Sequence, residues 1–381
     1  MLNSRSIYIC YFCLFLLVTS FVLNGCNNIK EAKPVPISKH EAPPTKEDIP
    51  ITFLGHHFIL PIKIPEGRFY STSGWIDEQT ILYITETGPS TNVYTYNFHN
   101  GVSQQLFKSD APIVNVMISP QKKYILIHSS PNNFEATLTV LNIQGEKMMT
   151  QSIESTELAI EWNPFNEDIL LVSSFTEDWS FYTYKMNLSE QKLDEVFLTQ
   201  PFAYWLNEEE LVYLDWDEES PSLFAPVKKL NLITNEENEL FPKIFQIAMI
   251  GHKLLTIQVD ENNTDQSINT IYSSALKEIR SFTLPQLSTY SGWLVPNYDY
   301  IETEEKLLTF APLTSGSIDS YRGGYQLILK SLQSEDQEIL FENLNNERLS
   351  CSPSGKYCLY GNYLDSILDL NEKNILKLIK E

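Results

Sequence analysis

The chain has 381 residues, 43% of them hydrophobic and 12% aromatic, which supplies a large core and excludes global disorder. Its formal net charge of −22 argues against nucleic acid as a partner, because a phosphate backbone needs Lys and Arg to displace its counterions, and against broad adhesion to anionic lipid. A cationic partner, a divalent ion or plain solubility are the readings such an acidic surface leaves.

Residues 1–25 carry one charged residue, Arg5, followed by an apolar run from Ile7 to Leu23, the length of a secretory core or a short membrane span. The run ends in Leu23-Asn24-Gly25-Cys26, which resembles a bacterial lipobox, so residues 1–25 are expected to be a lipoprotein signal peptide and Cys26 the lipidated residue. An uncleaved anchor is the alternative, and either version puts the remainder on the outer face of the cytoplasmic membrane. Cleavage before Cys26 removes Arg5 and leaves a charge of −22 − 1 = −23. From Cys26 to Pro50 the chain carries Pro34, Pro36, Pro43, Pro44 and Pro50 among Lys and Glu. That composition predicts a semi-extended tether with a reach of about 30 Å.

Residues 51–381 read as one repeat. Trp75, Ile118, Trp162, Trp205, Ile250, Trp293 and Cys351 each precede a polar turn and an apolar run, at intervals of 43, 44, 43, 45, 43 and 58 residues. A period in the low forties built from short strands predicts an all-β fold, a β-propeller with one four-stranded blade per repeat. An α-solenoid of similar period would need amphipathic segments of ten or more residues, and these are absent. Seven blades are counted. Six is the alternative, if the last unit or the segment Ile51 to Leu60 caps or clasps the ring. The insertion Pro312 to Gly324 accounts for the longest interval. The seven anchor residues are expected to be buried between blades, so their tryptophans are not site residues.

Blades reading Gly74-Trp75-Ile76-Asp77-Glu78-Gln79-Thr80-Ile81-Leu82-Tyr83-Ile84-Thr85-Glu86, with Glu161-Trp162-Asn163-Pro164 and Thr176-Glu177-Asp178-Trp179-Ser180-Phe181 downstream, resemble the YqgU-like β-propeller lipoproteins of spore-forming, Gram-positive bacteria. The resemblance covers nearly everything after the tether. It implies six blades and a lipid anchor, and it brings no activity and no functional residues with it.

Local motifs give catalysis no support. Ser119-Pro120-Gln121-Lys122 matches a Ser-x-x-Lys nucleophile pattern, but it fills the turn that Asn163-Pro164-Phe165-Asn166 fills in the next repeat. Ser354-Gly355-Lys356 lacks the upstream glycine of a phosphate loop. Histidines 56, 57, 99, 128 and 252 show no metal-ligand spacing. Cys351 and Cys358 flank a turn and face each other across a hairpin. They are either a disulfide, which an oxidising exterior permits, or two small core residues.

One constellation is kept. Loops joining second to third strands share a face with the blade-to-blade connections, and ligands of propellers commonly bind there. Those loops carry Glu177, Asp178 and Trp179, then Asp215, Trp216 and Asp217 with Glu218 and Glu219, and Glu86, Asp260, Glu261, Asp319, Tyr321 and Arg322 in others. Acids beside exposed aromatics suit a cationic peptide, a metal ion or a glycan; acidic loops that are merely solvated are the plain alternative. The expectation is a lipid-anchored, non-enzymatic module that binds a protein or peptide at the cell envelope. The alternative is an envelope enzyme or a glycan- or cation-binding protein using the same face. No resident cofactor is expected, calcium being the ion these loops would suit.

Overall fold

Among the described residues, seven four-stranded antiparallel sheets follow one another along the chain, each built from strands taken in sequence order, with one short strand of another sheet, Gly316–Ser317, falling inside the sixth. They are seen in a computed structural model that describes residues 58–380 apart from 89, 218 and 260–262. The signal peptide, Cys26 and the tether lie outside the described residues, as do Glu218, Asp260 and Glu261 of the acidic loops. The inner strands are Arg68–Trp75, Ile113–Ile118, Glu157–Trp162, Ala203–Trp205, Gln246–Ile250, Tyr298–Ile301 and Leu349–Cys351. The first strands of blades 1 and 2, 3 and 4, 4 and 5, and 6 and 7 touch, and the seventh touches the first, so the blades close a ring.

Burial explains the sequence pattern within a blade. The second strand of blade 1, Thr80–Thr87, is buried along most of its length, because blades stack face to face and cover both of its sides. The fourth, Val102–Ser109, lies at the rim and is mostly open to solvent, which its polar residues tolerate.

The anchor residues largely follow expectation. Trp75, Trp162, Trp205 and Ile250 are buried. A buried indole must place its N–H, and each of the three does. Trp75 Nε1 donates to the carbonyl of Ser350 in blade 7 at 2.8 Å, Trp205 Nε1 to the carbonyl of Glu161 in blade 3 at 3.4 Å, and Trp162 Nε1 to Glu167 in its own turn at 2.7 Å. Ile118 and Cys351 are only partly buried. Trp293 does not anchor blade 6 at all. It sits in a small extra sheet formed by Leu287–Thr289, Gly292–Trp293 and Gly316–Ser317. The blade 6 anchor is Ile301, buried at the end of its inner strand, so the last intervals are 301 − 250 = 51 and 351 − 301 = 50. The interval of 43 that ends at Trp293 is coincidental, because the connection after Pro285 is long enough to build structure of its own.

The turns beneath the inner strands interlock neighbouring blades. Ser119 Oγ accepts the backbone N–H groups of Lys123 and Tyr124 at 3.0 and 2.9 Å and is fully buried, so the Ser-x-x-Lys match is a turn. Lys123 Nζ and the Tyr124 hydroxyl both reach Asp168 of blade 3 at 2.8 Å. Gly355, at φ +68°, allows the blade 7 turn to lie against Ile301, where an added Cβ would meet the side chain at 2.6 Å.

Ring closure exchanges no strand among the described residues. The Glu78 carboxylate of blade 1 accepts the Ser354 hydroxyl of blade 7 at 2.6 Å, and also its backbone N–H. Phe58 packs on both Phe98 and Tyr357 with ring centroids 4.4 Å apart, and Ile62 N–H bonds the Leu378 carbonyl at 2.7 Å. The segment ahead of the first strand thus clasps the seam between first and last blades. Cys351 and Cys358 are register partners across the blade 7 hairpin and are joined by a disulfide.

Candidate functional site

The face that carries the second-to-third-strand loops bears a run of exposed aromatic rings over blades 2 to 4. Phe134 comes from the blade 2 loop, Trp179 from the blade 3 loop, Phe202 from the connection into blade 4, and Trp216 from the blade 4 loop. Trp179 is 72% exposed and Phe202 62% exposed, whereas the ring between them, Phe175, is buried. Phe175 lies 6.4 Å from Trp179 edge-on and 5.7 Å from Phe202, so it links the two outer rings into one shelf.

The backbone at Trp179 is unusual. Its φ is +64°, a left-handed conformation that a bulky residue adopts only at a cost of roughly 1–2 kcal/mol. The loop around it holds the conformation. Trp179 N–H bonds the Thr176 carbonyl at 3.1 Å, and the Asp178 carboxylate accepts the Thr176 and Ser180 hydroxyls at 2.5 and 2.8 Å. Those hydroxyl bonds hold the Asp178 carboxyl down at about 2, although it is fully exposed.

The six sequence-selected residues therefore divide. Asp178 is spent on its own loop. Asp215 pairs with Lys228 at 2.8 Å, and that lysine also holds Glu237 at 2.9 Å, which ties the loop to the outer strands of blade 4. Asp217 accepts the N–H groups of Glu219 and Ser220 at 2.9 and 3.2 Å, a local turn device. Trp179, Trp216 and Glu177 remain directed to solvent or to clefts. Among the described residues, no three of His, Cys, Asp and Glu converge where they could hold a metal ion.

Three clefts adjoin the shelf. One, of about 420 Å³, lies between Phe134, Ser155, Phe175 and Glu177 at the blade 2–3 boundary. A second, of about 240 Å³, lies between blades 4 and 5, walled by Gln200, Phe202, Tyr204, Trp216 and Gln246, and the Gln200 amide holds the Trp216 carbonyl at 3.0 Å. A third, of about 270 Å³, lies between blades 3 and 4, where Phe202 and Tyr204 are joined by Ser173, Leu171 and Glu161.

Ionisable groups gather around Glu161 at the inner end of the blade 3–4 cleft. Burial pushes the Glu161 carboxyl up to about 8, and its charge in turn adds to the upward push that burial gives the Tyr204 and Tyr298 hydroxyls. Asp299 is raised to about 6 by burial, against the pull of backbone N–H groups from Cys351 at 2.5 Å and Tyr300 at 2.8 Å and of the Lys122 charge. Lys122 is lowered by burial and attracted by Asp299 and Glu167. Below these groups the blade turns meet. The Pro164 carbonyl accepts from the Gln121 amide at 3.5 Å and lies 3.1 Å from the His252 ring, which packs edge-on to Phe165.

Sequence reasoning missed Phe175, Phe202, Tyr204 and Glu161. The run Pro201-Phe202-Ala203-Tyr204-Trp205 was the available signal, three aromatics in a segment whose period-2 pattern can bury only one face. Trp293, set aside as a packing residue, is half-buried and joins Phe224 and Phe245 at 5.7 and 5.3 Å on this same face.

Comparison with known proteins places this architecture. The chain is 24% identical over 331 residues to the uncharacterized lipoprotein YqgU of Bacillus subtilis, covering 84% of this chain and 87% of that protein. Its fold matches an uncharacterized protein of Listeria monocytogenes with a TM-score of 0.76 at 19% identity, over 84% of this chain and 97% of the other. The β-propeller domain of a protease from Pyrococcus furiosus matches with a TM-score of 0.54 at 12% identity, over 82% and 98%. Residues 97–361 match the model of the YqgU-like 6-bladed beta propeller domain, from the end of the third strand of the first blade into the seventh. The family is described as six-bladed, whereas seven four-stranded sheets are present among the described residues. The chain belongs to the YqgU-like β-propeller family.

Proposed function

We propose that this protein is an envelope lipoprotein that binds a protein or peptide partner through the aromatic loop face. The single observation that carries the binding reading is Trp179, 72% exposed and in a left-handed conformation that its own loop enforces. A large ring held open to water at a cost in backbone energy contributes little to folding, and strained, exposed aromatics are concentrated at contact sites. Phe202 and Trp216 extend the same surface, and together they offer the kind of rigid aromatic anchors that partner surfaces bury. Anchorage is supported by the Leu23-Asn24-Gly25-Cys26 sequence and by the lipoprotein name of the Bacillus subtilis relative.

The test is recovery of cross-linked partners from envelope extracts with the full chain and with Trp179→Ala and Trp216→Ala. Loss of the same species in both variants is expected; recovery equal to wild type overturns the binding face. For the anchor, Cys26→Ala should release the protein from membranes, and a variant that still floats with them overturns lipidation at Cys26.

A further inference from the structure

The blade 3–4 cleft ends on a carboxyl group to which the protein offers no counter-ion. Among the described residues, no hydrogen bond or ion pair reaches the Glu161 carboxyl, while its backbone carbonyl accepts from Trp205 Nε1 at 3.4 Å. Glu161 keeps part of its surface open to the cleft, yet protein surrounds it on nearly every side. Lys122 is engaged electrostatically with Asp299 and Glu167. A buried acid without a counter-ion is costly, and it points to a cation supplied from outside.

The walls indicate the form of that cation. Ile160, Leu171, Ala203 and the rings of Phe202 and Tyr204 give the cleft of about 270 Å³ apolar walls beside the polar groups of Glu161 and Ser173, and Phe202 and Tyr204 also line the neighbouring blade 4–5 cleft under Trp216. Methylenes match such walls, and a positive head group matches a carboxylate flanked by tyrosine rings. We infer that the blade 3–4 cleft receives a basic side chain of the peptide partner, its aliphatic stem between Phe202 and Tyr204 and its charge against Glu161. This deepens the peptide-binding reading and rests on it for the surrounding contact, while Glu161 is tested separately.

Pentalysine is the probe, with the fully acetylated pentapeptide as the neutral control and the full chain in detergent as receptor. Glu161→Gln should loosen pentalysine at least about tenfold, while Glu190→Gln, an exposed acid on the far rim, should leave it unchanged. Pentalysine should also lose affinity in acid. Between pH 7 and pH 6 wild-type binding should weaken roughly tenfold, since Glu161 must surrender its proton to pair. The groups facing it are the Tyr204 and Tyr298 hydroxyls with Asp299 and Lys122 beyond, and the same profile in Glu161→Gln should be much shallower, Asp299 being the one neighbouring carboxyl left to titrate in that window.

Equal binding by Glu161→Gln and wild type, or an identical pH profile in the two, overturns the assignment. So does an acetylated peptide that binds as well as pentalysine. A cleft that holds n-butylammonium as tightly as pentalysine overturns the peptide side chain as occupant. If Trp179→Ala and Trp216→Ala lose the envelope partner while Glu161→Gln keeps it, the aromatic face stands and the cation pocket falls.

Discussion

The indole Nε1 of Trp75 donates a 2.8 Å hydrogen bond to the carbonyl oxygen of Ser350, tying the first blade to the last across 275 positions of sequence. Trp75 is also 1% exposed, so it fills the seam as well as bonding across it. Trp75→Phe keeps most of the packing but leaves that carbonyl without its donor, at an expected cost of about 1–3 kcal/mol. Trp75→Ala should cost about 3–5 kcal/mol. Urea unfolding of both variants checks this, and a wild-type midpoint for Trp75→Phe would show the bond to be energetically silent.

Blade 6 supplies a second prediction, because two residues compete to be its anchor. Ile301 is buried in the core shared with blade 7, while Trp293 is half-buried against Phe224 and Phe245. Ile301→Ala should cost about 2–5 kcal/mol, more than Trp293→Ala despite the smaller side chain. The reverse order in thermal unfolding would restore Trp293 as the packing residue.

Trp162 makes the corresponding case inside blade 3. It is buried and bonds the Glu167 carbonyl at 2.7 Å, so Trp162→Ala should cost about 3–5 kcal/mol. A loss below about 1 kcal/mol would mean that the repeat is not anchored by this residue.

At Trp179, stability and binding should part company. Glycine adopts φ +64° without strain, which offsets the entropy glycine adds to the unfolded chain, so Trp179→Gly should unfold within about 1 kcal/mol of wild type. The envelope partner should nevertheless be lost. A large fall in melting temperature would identify the indole as structural.

Glu161 predicts a pH dependence with a definite sign. Its carboxyl is raised by burial to about 8 in the folded protein, so between the ordinary glutamate range and about pH 8 the folded state holds more protons than the unfolded one. Stability from this group is therefore fully present in acid and is lost as pH rises through that window. Glu161→Gln should be more stable than wild type at pH 8, by roughly 2 kcal/mol once screening by solvent is allowed for, and should show little advantage below about pH 4.5. Denaturant titrations at the two pH values read the difference directly; a greater advantage in acid would contradict the buried, unpaired carboxyl.

Some of this was legible in the residues themselves. Trp75, Trp162 and Trp205 each precede a turn and a strand buried on both faces, and a packing constraint repeated from blade to blade over the first five leaves a period in the chain. That period is enough to give the propeller and to mark Trp179 and Trp216 as aromatics out of register. Local pattern also identified the facing cysteines of the blade 7 hairpin, because a tight antiparallel turn fixes which residues oppose each other.

What only the tertiary structure decided depends on distance across the ring. Asp178, Asp215 and Asp217 looked alike in sequence, yet nearby hydroxyls, Lys228 and backbone N–H groups occupy them. Trp293 matched the period and still fell outside the blade, since spacing cannot tell an anchor from an inserted sheet. Glu161 carried no signal at all. Whether a carboxylate is solvated or stranded depends on the blades that close around it, here blades 3 and 4 with Tyr298 of blade 6, which sequence spacing alone does not bring together.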